Sequence, residues 1–158
     1  MTTTIRIAIM TLILTTVGFA DQSSSYGTTE AFYDWYIKAG DDHRKTFAQA
    51  KPFFTDELFR MLNTGFNNGP EDDFWIDFDP FIAAQMSADK VSIGKPSTQG
   101  SNLDMVPVSP IIRGHAPDEP TVKVYCVKQG DKWVIANIAY PGDMPFELKA
   151  YLKDGLGE

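Results

Sequence analysis

Thr121–Tyr140 reads TVKVYCVKQGDKWVIANIAY, two runs of alternating apolar residues around a Gln129-Gly130-Asp131 turn. In an extended chain neighbouring side chains point to opposite faces. The first run therefore sets Val122, Val124 and Cys126 against Lys123, Tyr125 and Val127. The return run sets Trp133, Ile135, Asn137 and Ala139 opposite Val134, Ala136, Ile138 and Tyr140. This is the sequence's clearest antiparallel hairpin, and it puts a sheet in the second half of the chain. Asn137 then sits among apolar neighbours, where a buried amide must find a hydrogen-bond partner. Both a structural bond and a donor to a pocket fit that position.

Working upstream, strand-like patterns continue to about residue 90. Met105, Val106 and Val108 lie between Gly100 and Pro110, and Val91 and Ile93 precede Gly94. The Gly114-His115-Ala116-Pro117 stretch reads as an exposed loop. Downstream of Pro141-Gly142, the spacing of Phe146, Leu148, Tyr151 and Leu152 predicts a short closing helix to about Asp154-Gly155.

The first half is helical. Thr28 or Thr29 is suited to cap a helix to Ala39 in which Phe32, Trp35, Tyr36 and Ala39 recur at helical spacing, with Gly40 just past its end. Asp41–Lys51 is a weaker segment ending before Pro52, and its His43 stands among Asp42, Arg44 and Lys45 as in a solvated turn. Thr55 caps a firmer helix, with Asp56 and Glu57 in its first turn and Leu58, Phe59, Leu62 and Phe66 as its inward stripe. Helices followed by an antiparallel sheet make this an α+β chain. Its 158 residues, 43% hydrophobic, suit one domain with a real core.

Between the halves lies Glu71–Met86, EDDFWIDFDPFIAAQM, the densest run of carboxylates and aromatics. Alternation from Phe74 to Asp79 packs Phe74, Ile76 and Phe78 on one side and presents Trp75, Asp77 and Asp79 on the other. Asp79-Pro80 then opens a short helix through Met86, with Phe81 and Gln85 on one stripe. Asp77 and Asp79 at two strand rises are about 7 Å apart, too far to share a proton, which needs about 3 Å. Asp72, Asp73, Asp77 and Asp79 lack the glycine and distal glutamate of a calcium loop. Neither a metal nor a cofactor is expected. The candidate ligand-binding residues are Trp75, Asp77, Asp79 and Gln85, with Tyr33 and Tyr36 from the aromatic helix and Asn137 from the hairpin.

The ends of the chain bear on where it works. Arg6, the apolar run Ile7–Phe19 and the small residues Gly18 and Ala20 make residues 1–20 a secretory signal peptide cleaved after Ala20. Asp21–Gly27 is then a polar leader, and residues 28–158 the domain, periplasmic or secreted. The apolar run is shorter than a membrane span and broken by threonines, so no membrane anchor is expected after cleavage. Without Arg6, 13 basic residues face 21 acids, a net charge of −8. With no Lys/Arg cluster, that charge disfavours nucleic acid and anionic lipid as partners. Cys126 is the only cysteine and has no disulfide partner in the chain.

Phe32-Tyr33-Asp34-Trp35-Tyr36, Phe54-Thr55-Asp56-Glu57-Leu58, Asp77-Phe78-Asp79-Pro80-Phe81 with Ala84-Gln85, and Lys132–Ile138 together give a layout that resembles a family of small exported bacterial proteins of unknown function. That family includes YbjP-like envelope lipoproteins, within the nuclear transport factor 2-like (cystatin-like) superfamily. The resemblance implies a cone in which a curved sheet wraps an N-terminal helix; the lipid-bearing cysteine of the lipoproteins is absent here. The leading functional expectation is a non-catalytic binding module for a small molecule or an envelope protein. A pocket enzyme with Asp77 or Asp79 as base and Tyr33, Tyr36 or Tyr140 as donors is the second, and an immunity-type protein facing a basic toxin the third.

Overall fold

A computed structural model describes residues 21–82, 86–142 and 145–158. The expected signal peptide, residues 1–20, lies outside the described residues.

Helix α1 spans Ser25–Ala39, and its N-cap is Ser24, whose hydroxyl accepts from the Gly27 N–H. It therefore starts at least four residues earlier than a Thr28 or Thr29 cap would place it, and the expected leader 21–27 belongs to the fold. The reason is that its small polar residues bond across to the sheet. Ser25 Oγ donates to Asp104 at 2.6 Å, Thr28 Oγ1 to the Trp133 carbonyl at 2.8 Å, and the Gln22 carbonyl accepts from the Trp133 N–H. Ser25, Gly27, Thr28 and Thr29 are buried, so α1 lies close against the sheet.

In place of one weak helix over Asp41–Lys51, two 3-10 turns follow, Gly40–Asp42 and Phe47–Phe53. The second runs through Pro52, next to its last residue. Helix α2, Asp56–Asn67, starts as expected on Thr55, whose side chain accepts from Leu58 N–H.

The sheet contains β1 (Lys90–Ile93), β2 (Ser97–Gly100), β3 (Leu103–Ile111), β4 (Val122–Gln129), β5 (Lys132–Tyr140) and β6 (Phe146–Glu147). All pairings are antiparallel, in the order β1-β3-β4-β5-β6, with β2 beside the other end of β3. Helix α3, Leu148–Leu156, closes the chain and ends on Gly157 in the left-handed region at φ 69°. Gly155, expected as its stop, lies inside it.

The hairpin forms with one correction. Tyr125 pairs with Asn137 but Cys126 pairs with Ile135, so Ala136 is an extra residue in β5. This β-bulge resets the alternation. Ile135 and Ile138, opposite Cys126 and Val124, both reach the core. Asn137, opposite Tyr125, therefore does not share a face with Ile135.

The core lies between α1 and the inner sheet face, with Phe32, Tyr33, Val106, Val124, Ile135 and Ile138 fully buried. Phe81 caps it, its ring 5.1 Å from Phe32, 6.0 Å from Phe47, 6.2 Å from Phe54 and 5.9 Å from Phe66. N-terminal helices packed on an antiparallel sheet, with a short C-terminal helix, form the expected α+β cone. Cys126 is buried beside Thr29, and burial pushes its thiol up to about 12, which keeps it protonated and unreactive.

Two ion pairs join α2 to α3: Lys149 and Lys153 reach Glu57 at 2.6 and 2.8 Å. Hydrogen bonds from Lys149 and then Lys153 hold the Glu57 carboxyl down at about 2 from its ordinary 4.5. A depressed carboxyl adds stability above its unfolded value and loses it as pH falls through the folded one. Glu57→Gln is expected to lower stability at pH 7 by about 0.5–1 kcal/mol, the scale of partly exposed pairs. It should also flatten the loss of stability between pH 4.5 and 2, which urea titrations at stepped pH read directly.

Candidate functional site

The Glu71–Asp79 segment is held from three sides. Arg44 Nη1 donates to the Ile76 carbonyl at 2.6 Å and Nη2 to the Phe78 carbonyl at 2.7 Å, with its guanidinium over the Phe66 ring. Asn68 Nδ2 donates to the Phe74 carbonyl, and the Ile76 N–H to the Gly65 carbonyl. Glycine is required where the segment meets the helices. A Cβ on Gly65 of α2 would stand 2.7 Å from Ile76, and one on Gly155 of α3 would strike the Phe74 ring.

The expected alternation holds through Asp77 and then fails. Ile76 is fully buried, Phe74 and Phe78 half-buried, and Trp75 and Asp77 exposed. Asp79, expected beside Trp75 and Asp77, instead turns inward: Oδ2 accepts from Tyr36 O–H at 2.5 Å and Oδ1 from the Phe81 N–H at 2.9 Å. The second bond is the capping contact that the Asp-Pro pair suggested. Pro80–Ile82, however, form bends rather than a helical turn. Gln85 lies outside the described residues.

Tyr33 is fully buried and donates to the Phe81 carbonyl at 2.7 Å, so its hydroxyl is committed to the fold. Tyr140 Oη is buried, with no hydrogen-bond partner among the described residues. Burial pushes all three phenols up, Tyr33 and Tyr36 furthest from water, with the Asp79 carboxylate adding to the effect on each. They remain protonated donors at neutral pH, and none serves as a phenolate base.

The residue that sequence reasoning missed is His43. It is 9% exposed rather than solvated, with its ring edge-on to Tyr36 and Phe66. Its Nδ1 lies 2.8 Å from the Gly40 carbonyl. A carbonyl only accepts, so in the neutral ring Nδ1 carries the proton and Nε2 presents a lone pair. That Nε2 is buried, with no hydrogen-bond partner among the described residues. A signal was there: His43 lies seven residues after Tyr36 and four before Phe47, on the same apolar stripe. Its charged neighbours masked it.

Tyr36, His43 and Asp79 line a cavity of about 100 Å³, with Gly40, Asp41 and Ser87 at its edge. A second hollow of about 340 Å³, more open, lies on the opposite side of the sheet between Leu103, Tyr125, Asn137 and Lys149. Its polar wall is already used. Asn137 Oδ1 accepts from the Ile138 N–H at the bulge and from Lys149 N–H at 3.0 Å. It thereby caps α3, whose own N-cap Glu147 makes no side-chain cap bond. Asn137 is thus a structural bond-former, one of its two expected roles.

Of the candidates, then, Tyr36 and Asp79 come together, with Tyr33 behind them. Trp75 and Asp77 stay on the surface, and Asn137 lies across the sheet. Among the described residues no three His, Cys, Asp or Glu side chains gather as a metal site. Tyr36→Phe removes a charge-assisted bond and is expected to cost about 1.5–3 kcal/mol in urea unfolding. No family model matches the chain, and neither a curated protein nor a solved structure matches it significantly.

Proposed function

We propose that the chain is an exported, non-catalytic binding module that receives a small ligand, or a side chain of an envelope partner, in the cavity lined by Tyr36, His43 and Asp79. The observation carrying this reading is that cavity itself, which Tyr36, His43 and Asp79 line together at the end of the aromatic core. The volume argues for something small, because sites for metabolites of drug-like size run to about 300–1,000 Å³.

The second expectation, an enzyme with an aspartate base, would have to rest on Asp79, the acid that faces inward. Both of its oxygens already accept hydrogen bonds, which favours holding a ligand over abstracting a proton. Export, and kinship with the small exported family that the sequence resembles, form part of the same proposal. They are supported by the charged start, apolar run and small residues of positions 1–20 and by the α+β layout.

A thermal-shift screen of a small-metabolite panel, paired with pull-down from periplasm, tests the binding reading. The expected hit raises the melting temperature of the native protein but not that of His43→Phe, which keeps an aromatic ring in place and makes that part of the cavity wall apolar. No hit in the panel and no partner in the pull-down would sink it.

A further inference from the structure

Asn68-Gly69 is the one place in the chain where an asparagine precedes a glycine; Asn63, Asn67, Asn102 and Asn137 are followed by Thr64, Asn68, Leu103 and Ile138. That pairing carries a chemistry of its own. The side-chain amide carbon of an asparagine is one ring closure away from the backbone nitrogen of the next residue, and glycine, with no Cβ, hinders the approach least. The pair stands where α2 gives way to the segment carrying Asp79, with Asn68 as the C-cap of α2.

In the fold both reacting groups are held. Asn68 Nδ2 donates to the Phe74 carbonyl at 2.7 Å, and the Gly69 N–H donates to Asp72 Oδ2 at 2.8 Å. The nucleophile is the Gly69 nitrogen after it has lost its proton, and a carboxylate beside it opposes a second negative charge there. The Asn68 amide, for its part, leaves its place only by giving up Phe74. Both bonds lie at the partly exposed end of the segment rather than in the core, where contacts open most readily.

We propose that Asn68 is a site of spontaneous deamidation, held shut by the fold and released when the 68–79 segment opens. Hydroxide then takes the Gly69 amide proton, and the nitrogen bonds to Cγ of Asn68. The Cγ–Nδ2 bond breaks, and Nδ2 takes a proton from water and leaves as ammonia, returning the hydroxide. Water opens the cyclic imide at one carbonyl or the other, which leaves an aspartate or an isoaspartate with nothing oxidised or reduced. The change is one-way in its consequences. A carboxylate has no proton to give the Phe74 carbonyl, and it adds a charge beside the exposed Glu71, Asp72 and Asp73, so the segment that carries Asp79 is left looser. This inference stands apart from the binding reading above.

Peptide mapping of the purified protein during incubation at mildly alkaline pH, with released ammonia measured alongside, tests it. Unfolded in guanidinium, the chain should convert Asn68 faster than any other asparagine; folded, it should convert Asn68 about tenfold more slowly than that or less, the combined worth of two hydrogen bonds. Arg44→Met, which frees the Ile76 and Phe78 carbonyls, should raise the folded rate by about tenfold or more through a larger open population. Should that variant not fold, Asp72→Ser at an exposed position decides, with a rate about two- to tenfold higher at an unchanged melting temperature. Gly69→Ala, whose Cβ would meet the flexible Glu71 carboxylate first, at 2.9 Å, should bring Asn68 down to the rate of the other asparagines. Asn68→Asp should speed hydrogen exchange at Ile76 and Phe81. Folded protein that converts as fast as unfolded, a slower rate in Asp72→Ser, or no effect of Gly69→Ala would overturn the gated site, and unchanged exchange in Asn68→Asp would overturn the loosening.

Discussion

Phe81→Ala is expected to destabilise the protein by about 3–5 kcal/mol, the cost of opening a cavity at a fully buried ring. Phe81 is where the segment carrying Asp79 enters the core. Its ring meets Phe32, Phe47, Phe54 and Phe66 from three different elements, and Tyr36 and His43 from the site, at 5.7 and 6.0 Å. Alanine would remove the shared neighbour of all six. Phe81→Leu keeps most of the volume and should cost about 1.5 kcal/mol or less. Urea unfolding separates the two: with a slope of about 2 kcal/mol per molar, alanine should lower the midpoint by about 2 M. A loss under about 1 kcal/mol for alanine would mean that the cluster closes over the gap and that Phe81 is not its centre.

Arg44→Met has the next largest expected effect, about 2–4 kcal/mol, because it strips two carbonyls of their charged donor at once. The methylene stem is retained, so the loss reports the guanidinium rather than packing. Ile76 and Phe78, whose carbonyls it holds, lie three residues and one residue before Asp79. The local consequence should therefore exceed the global one. Hydrogen exchange is expected to rise first at Ile76 and Phe81, whose N–H groups donate to Gly65 and Asp79, while β4 and β5 keep their protection. Arg44→Lys should recover little, since an ammonium does not reproduce a planar fork reaching two carbonyls. Uniform protection across the variant would separate Arg44 from the positioning of Asp79.

How much of this was legible in the sequence differs from element to element. The β4–β5 hairpin was legible because period-two alternation needs no tertiary context. The bulge inside it was not. Ala136 carries no mark of its extra status, yet it moves Asn137 from the core face to the head of α3. The helix α2 start was legible from Thr55, whose cap is local. The α1 start was missed because Ser25, Thr28 and Thr29 are polar, and only the partners on β3 and β5 make them interior residues. Asp79 was found for its capping role, while its bond to Tyr36 depends on a chain bend after Phe78 that alternation alone would forbid. His43 was hidden by its charged neighbours: Asp42 and Lys45 pair with each other in solvent, while the ring and the Arg44 guanidinium both pack on Phe66.

The contacts that fix the start of α1 also set an order of assembly. Gln22 holds Trp133, and Ser25 holds Asp104, so the seat of the first helix is not complete until β5 has been made. Pairings between such distant parts of a chain form slowly, and a polypeptide emerging from the ribosome would stay open until nearly its whole length was available. For a protein proposed to leave the cytoplasm, that delay is useful. An unfinished chain can still be threaded through a membrane channel, and the same late-arriving strand that completes the cone on the far side would then make the passage one-way.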